Sequence, residues 1–141
     1  MNSVINWCRE HSIPILRWSM GIVFLWFGIL KLLPQVGEAE DMGYRTLRWL
    51  SGGRMNQTTA LILLGALEIL IGAGLLLRSA LPIVLMLLFF QMAGTMLPLI
   101  IFKEECWDGF LRPSLAGHYI IKNIVLIASG VVLTATIKTR N

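Results

Sequence analysis

Four long apolar runs, separated by shorter polar stretches, take up most of this 141-residue chain. A helix needs roughly 20 mostly apolar residues to cross the hydrocarbon of a bilayer, and runs near residues 13–33, 59–77, 81–102 and 117–136 meet that length. Prolines and polar caps punctuate them. Pro14 suits a helix start and Pro34 a stop, Asn56-Gln57-Thr58 caps the second run, Pro82 sits in the first turn of the third, and Pro98 lies near its other end. The second and third runs are joined by a very short turn, so they form an antiparallel hairpin, and the longer connections 34–58 and 103–116 share the opposite face. The expected fold is all-α, a single-domain integral membrane four-helix bundle spanning residues 1–141. In the first connection, residues 42–50 set Tyr44, Leu47, Trp49 and Leu50 among Arg45 and Arg48, a pattern that fits a short interfacial helix or an irregular linker. Gly52 and Gly53 would end such a helix.

Composition agrees with the pattern: 56% of residues are hydrophobic and the mean hydropathy is +0.73, far above a soluble domain of this size. The net charge of +4 comes from scattered lysines and arginines without a dense basic run, which excludes nucleic acid as the expected partner and favours the lipid bilayer. The first run carries Lys31 and no small-residue cleavage site, so it is expected to stay as a helix rather than leave as a signal peptide. Lysine and arginine counts on the two faces are nearly balanced. The shorter, denser basic side holds the termini, which are expected to be cytoplasmic. Cys8 and Cys106 fall on opposite faces, too far apart for a disulfide, and form no Cys-x-x-Cys motif.

Candidate chemistry lies in the polar residues within the runs. A charge near the bilayer centre costs roughly 2.5–3.5 kcal/mol on insertion, so one that persists there normally faces protein or water and has a partner. Glu68 falls in the middle of the second run and Gln91 in the middle of the third; Lys31 and Lys122 lie nearer the loop side of the first and fourth. On a helical wheel Arg17, Gly21, Phe24, Gly28 and Lys31 form one stripe, and His118, Lys122, Val125 and Ser129 another, each expected to face the bundle. The resulting picture is a polar cleft running from the loop face to midplane. In it Glu68 is countered by Lys122 or Lys31, with Gln91 beside it and His118, Tyr119 and Asn123 nearer the mouth. Trp26 is too deep for an interface belt and joins the candidate binding residues, whereas Arg17 reads as a helix-end anchor reaching lipid headgroups. A buried structural ion pair is the alternative role for Glu68. Gly21, Gly28, Gly65, Gly72 and Gly74 allow close helix approach or leave room for a ligand. No metal cluster, nucleotide loop or nucleophile–base pair is written in the chain. His11 and His118 lie at opposite faces, which disfavours a haem held by two histidines.

The stretches Phe24-Leu25-Trp26-Phe27-Gly28-Ile29-Leu30-Lys31, Gly65-Ala66-Leu67-Glu68-Ile69-Leu70-Ile71-Gly72 and Gly117-His118-Tyr119-Ile120-Ile121-Lys122-Asn123 resemble the DoxX family of small bacterial four-helix membrane proteins. The resemblance implies a location in the bacterial cytoplasmic membrane and a link to quinone-dependent oxidation or oxidative-stress complexes. It also implies that Lys31, Glu68 and Lys122 are characteristic polar positions of that family. The expectation is a membrane subunit binding a quinone or similar amphipathic molecule without a covalently held cofactor, working with a redox partner protein or as a homo-oligomer. Glu68 and Lys122 would do the chemistry, and Lys31, Gln91, His118, Tyr119, Asn123 and Trp26 would bind. Whether the chain is itself an enzyme stays open. The alternatives are a non-catalytic anchor for a partner protein and a small-molecule carrier.

Overall fold

A computed structural model of the protein describes residues 2–33 and 38–137. Four helices or nearly continuous helical segments in it are long and apolar enough to cross a membrane: Ser3–Lys31, Gln57–Leu77, Leu81–Ile101 and Leu115–Ala135. The chain has the helices of a multi-pass membrane protein.

The first element, α1 (Asn2–Lys31), begins a full three turns earlier than the apolar run, which leaves Pro14 inside the helix. Proline is normally tolerated only in a first turn because it lacks an N–H and crowds the preceding carbonyl. Here the polar turns before it are reinforced by Trp7 and His11, one turn apart, whose rings stack at 4.7 Å with 14° between their planes. Pro34, the expected stop, lies outside the described residues, as does the basic tail 138–140. Residues 42–50 do form a helix, as part of α2 (Glu38–Leu50), and it ends as expected where Gly52 and Gly53 adopt left-handed φ of 65° and 82°.

The second span, α3 (Gln57–Leu77), is capped by Asn56, whose side chain accepts from the Thr59 N–H at 2.8 Å. Arg78 and Ala80 both take left-handed conformations to turn the chain into α4 (Leu81–Met96). A Cβ in that region costs roughly 1–2 kcal/mol, so Ala80→Gly is expected to raise the unfolding free energy by about 1 kcal/mol. Denaturant titration in detergent checks this; an unchanged or lowered stability contradicts it. Pro98 interrupts the third span: Leu97 bonds in a tighter turn to Gly94, and α5 (Pro98–Ile101) continues the path. α6 (Lys103–Cys106) follows.

The chain is mostly helical, as expected, with one small exception. β1 (Trp107–Gly109) and β2 (Arg112–Pro113) pair antiparallel in a small hairpin with Phe110 and Leu111 at its exposed tip. Ser114 caps α7 (Leu115–Ile121), a turn at Lys122 separates it from α8 (Asn123–Ala135), and the two together make the fourth span.

Packing starts from glycines. On α1 Gly21 and Gly28 are seven residues apart, as are Gly65 and Gly72 on α3, and the antiparallel helices meet Gly21 to Gly72 and Gly28 to Gly65. Without side chains at these positions the backbones approach as small-residue membrane interfaces do. Met20 and Phe24 of α1, Ile71 and Leu75 of α3, Leu85 and Leu88 of α4 and Leu133 of α8 build the core behind this contact. Gly130 of α8 meets Leu88 and Phe89. A second cluster, at the end where α2, α6 and α7 gather, centres on Met42, Cys106 and Ile120. Burial pushes the Cys106 thiol up from its ordinary value, and both cysteines are free, Cys8 exposed and Cys106 buried.

Candidate functional site

The glycine contact dictates where the charges meet. Glu68 follows Gly65 by three residues and precedes Gly72 by four, which places it on the packed stripe of α3; Lys31 follows Gly28 by three on the packed stripe of α1. Close backbones at Gly28 and Gly65 let the lysine stem reach across, and its Nζ lies 2.8 Å from Glu68 Oε2. Gln91 extends the inner stripe of α4 beyond Leu88, and its Nε2 donates to Glu68 Oε1 at 3.0 Å. One carboxylate from the middle of a span thus receives donors from two other spans. All three groups are shielded: Glu68 is 7% and Gln91 5% exposed, and the Lys31 side chain 12%. The Lys31 ammonium also stands 5.9 Å from the centre of the Phe27 ring.

This arrangement selects Lys31 from the two expected counter-ions. Lys122 is exposed, with its ammonium 5.6 Å from the Tyr119 ring centre, and belongs to neither of the ion pairs formed among the described residues. The stripe His118, Lys122, Val125 does not face the bundle as expected: His118 and Lys122 are exposed and Val125 is 67% exposed. The buried residues of the fourth span are instead Gly117 and Ile120 in α7 and Gly130 and Leu133 in α8. Gly117 fits there because it lies against the Cys106 carbonyl and Pro113, where a Cβ has no room. Tyr119 is exposed and Asn123 half-buried. Trp26, 65% exposed, lines an apolar groove of about 370 Å³ on the outer side of α1 with Ile22, Leu25, Ile29, Leu30 and Leu76. The expected cleft therefore divides into an internal trio, Lys31, Glu68 and Gln91, and an outward group, His118, Tyr119 and Lys122.

Two arginines do more than sequence reasoning assigned to them. Rather than reaching for headgroups, Arg17 turns into the bundle and donates to the carbonyls of Leu75 and Leu76 at the end of α3, where unpaired helix carbonyls need donors. Arg45 of α2 grips Glu105 of α6 through two bonds of 2.5 and 2.6 Å and stacks 4.6 Å from the Phe102 ring centre, tying the two connections together. Opposite charges in two loops on the same face were the available signal for that pair.

The Arg45 bond holds the Glu105 carboxyl below its ordinary value and in return raises Arg45. A depressed carboxyl contributes stability that is complete above its ordinary value and is lost as the pH falls through the lower folded one. Acidification through and below the ordinary carboxyl range should therefore weaken the docking of α2, and Glu105→Gln should remove that part of the acid sensitivity. Hydrogen exchange of the α2 amides reports it; identical acid profiles for the two proteins contradict it.

Comparison of the chain with protein-family models, with curated proteins and with solved structures finds no match.

Proposed function

We propose that the protein is a multi-pass subunit of the bacterial cytoplasmic membrane, with cytoplasmic termini, that binds a quinone or a similar amphipathic small molecule at Lys31, Glu68 and Gln91 and serves a quinone-linked oxidoreductase or oxidative-stress complex. The observation that carries this reading is the convergence of an ammonium, a carboxylate and a carboxamide from three spans on one point. Ionisable groups are costly at such depth and tend to mark ligand or proton paths. An ammonium has three N–H donors and a carboxamide two, so Lys31 and Gln91 can each hold Glu68 and still offer a hydrogen to the carbonyl oxygens of a quinone head. Reduction of a quinone to its quinol takes up two electrons and two protons; a partner redox protein would supply the electrons, and Glu68 with Lys31 would pass the protons. The resemblance to the DoxX family supports the same reading.

One observation favours a second reading, that of a non-catalytic anchor for a partner protein. Both Glu68 oxygens have donors, and among the described residues no buried side-chain polar atom lacks a partner, as in a purely structural ion pair. Glu68→Gln separates the two. Removal of the charge lowers thermal stability on either reading, so the comparison is made on folded protein: on the ligand reading the folded variant recovers less bound quinone and supports less quinone-linked turnover, and on the anchor reading its occupancy and turnover stay unchanged.

A further inference from the structure

The fourth span is the least covered of the four, with 17% of its apolar window buried against 22–39% in the others. Its outward face changes character along its length. At the loop-side end it carries His118, Tyr119 and Lys122, all exposed, at spacings of one and three residues that put them on one side of the helix. Beyond Lys122 the same side is apolar: Val125 and Val132, seven and fourteen residues past His118, are 67% and 45% exposed. Ser129, the polar residue among them, turns its hydroxyl back onto the Val125 carbonyl at 2.7 Å, so it presents no unpaired donor.

Lys122 is seven residues past Leu115, about 10 Å along the helix axis, within reach of the headgroup layer for a long flexible side chain. Its ammonium rests over the Tyr119 ring at 5.6 Å, and no carboxylate among the described residues pairs with it. The face is therefore cationic near the membrane surface and apolar below it, which is the shape of a phospholipid with a negatively charged headgroup rather than of a polar protein surface. His118 adds selectivity. Its Nδ1 donates to the Ser114 carbonyl at 2.9 Å, so in the neutral ring Nε2 is an acceptor, suited to a hydroxyl group rather than to a phosphate oxygen.

We propose that the outward face of the fourth span binds an anionic phospholipid whose headgroup carries hydroxyls. Lys122 and the Tyr119 hydroxyl hold the phosphodiester, His118 Nε2 accepts from a headgroup hydroxyl, and the acyl chains lie along Val125 and Val132. This rests on the four spans lying in a bilayer and is independent of the ligand held at Glu68.

Native mass spectrometry of the delipidated full chain in detergent, titrated with phosphatidylglycerol, phosphatidic acid, phosphatidylcholine or inorganic phosphate, tests it. The intact protein is expected to bind phosphatidylglycerol at least about tenfold more tightly than phosphatidylcholine, and Lys122→Gln to lose about that factor, as expected for one charge-assisted contact. His118→Phe should erase the preference for phosphatidylglycerol over phosphatidic acid. Both side chains are exposed, so the variants should keep the thermal stability of the parent, and a preserved melting point accompanies each binding result. Equal phosphatidylglycerol binding by the parent and Lys122→Gln overturns the proposal. Binding of inorganic phosphate as tight as that of the lipid, or a co-purifying protein that occupies the face in place of lipid, overturns it as well.

Discussion

Gly72→Ala is expected to destabilise the protein by about 1–3 kcal/mol, although alanine is the better helix former by roughly 1 kcal/mol. The sign follows from the contact. A Cβ at Gly72 would lie 2.6 Å from the Leu25 amide nitrogen and 2.8 Å from the Gly21 carbonyl oxygen, both backbone atoms that cannot swing aside, so α1 and α3 must separate. Gly28 and Gly65 make the same contact one heptad away, and the Lys31 to Glu68 bridge lies immediately beyond them. Separation of the helices should therefore also lengthen the ion pair. Gly94 provides the control: nothing lies within 4 Å of a Cβ there, so Gly94→Ala should be neutral or stabilising by up to about 1 kcal/mol. Unfolding titrations in detergent read both. A stabilised Gly72→Ala variant would show that the helices do not meet at these glycines.

The second large effect concerns the buried pair itself. Removing one member leaves the other's charge without its counter-ion in a shielded setting, a loss of about 3–5 kcal/mol, whereas replacing both by apolar residues of similar volume is often neutral or favourable. Lys31→Met and Glu68→Leu should each be strongly destabilising, and the double variant should recover most of the loss. Gln91 then faces a leucine with its amide unpaired, so the recovery falls short of complete. Single-variant effects that simply add in the double variant would show that the two side chains are not coupled.

The spans and the hydrogen-bonded stripe of α1 were legible in the sequence because hydropathy, caps and one line of small and charged residues agree there. Arg17, Gly21, Phe24, Gly28 and Lys31 all point into the bundle. The fourth span was misread for a physical reason. In a bilayer both the core and the surroundings are apolar, so hydropathy cannot say which face packs, and polar residues alone proved a poor guide. The small residues Gly117 and Gly130 each mark a place where the span is closely packed, against Cys106 and Pro113 and against Leu88 and Phe89, but thirteen residues apart they share no stripe as Gly21 and Gly28 or Gly65 and Gly72 do. The early start of α1 and the Arg45 to Glu105 clamp depend on contacts between segments far apart in the chain, or on stacking within a polar turn, which no apolar run encodes.

Those outcomes reshape the candidate site. Glu68 keeps its place as the central group, Lys31 and Gln91 become its partners, and Lys122, His118, Tyr119 and Trp26 leave it for the outer surface. The most direct test of a ligand role for the trio is the quinone recovered per chain from the purified parent and from the Lys31→Met/Glu68→Leu double variant, measured by mass spectrometry alongside the melting temperature. The expected result is a folded double variant with quinone occupancy reduced by tenfold or more, about 1.4 kcal/mol of lost binding. A folded double variant that retains the parent's quinone would contradict it and leave the pair a structural element.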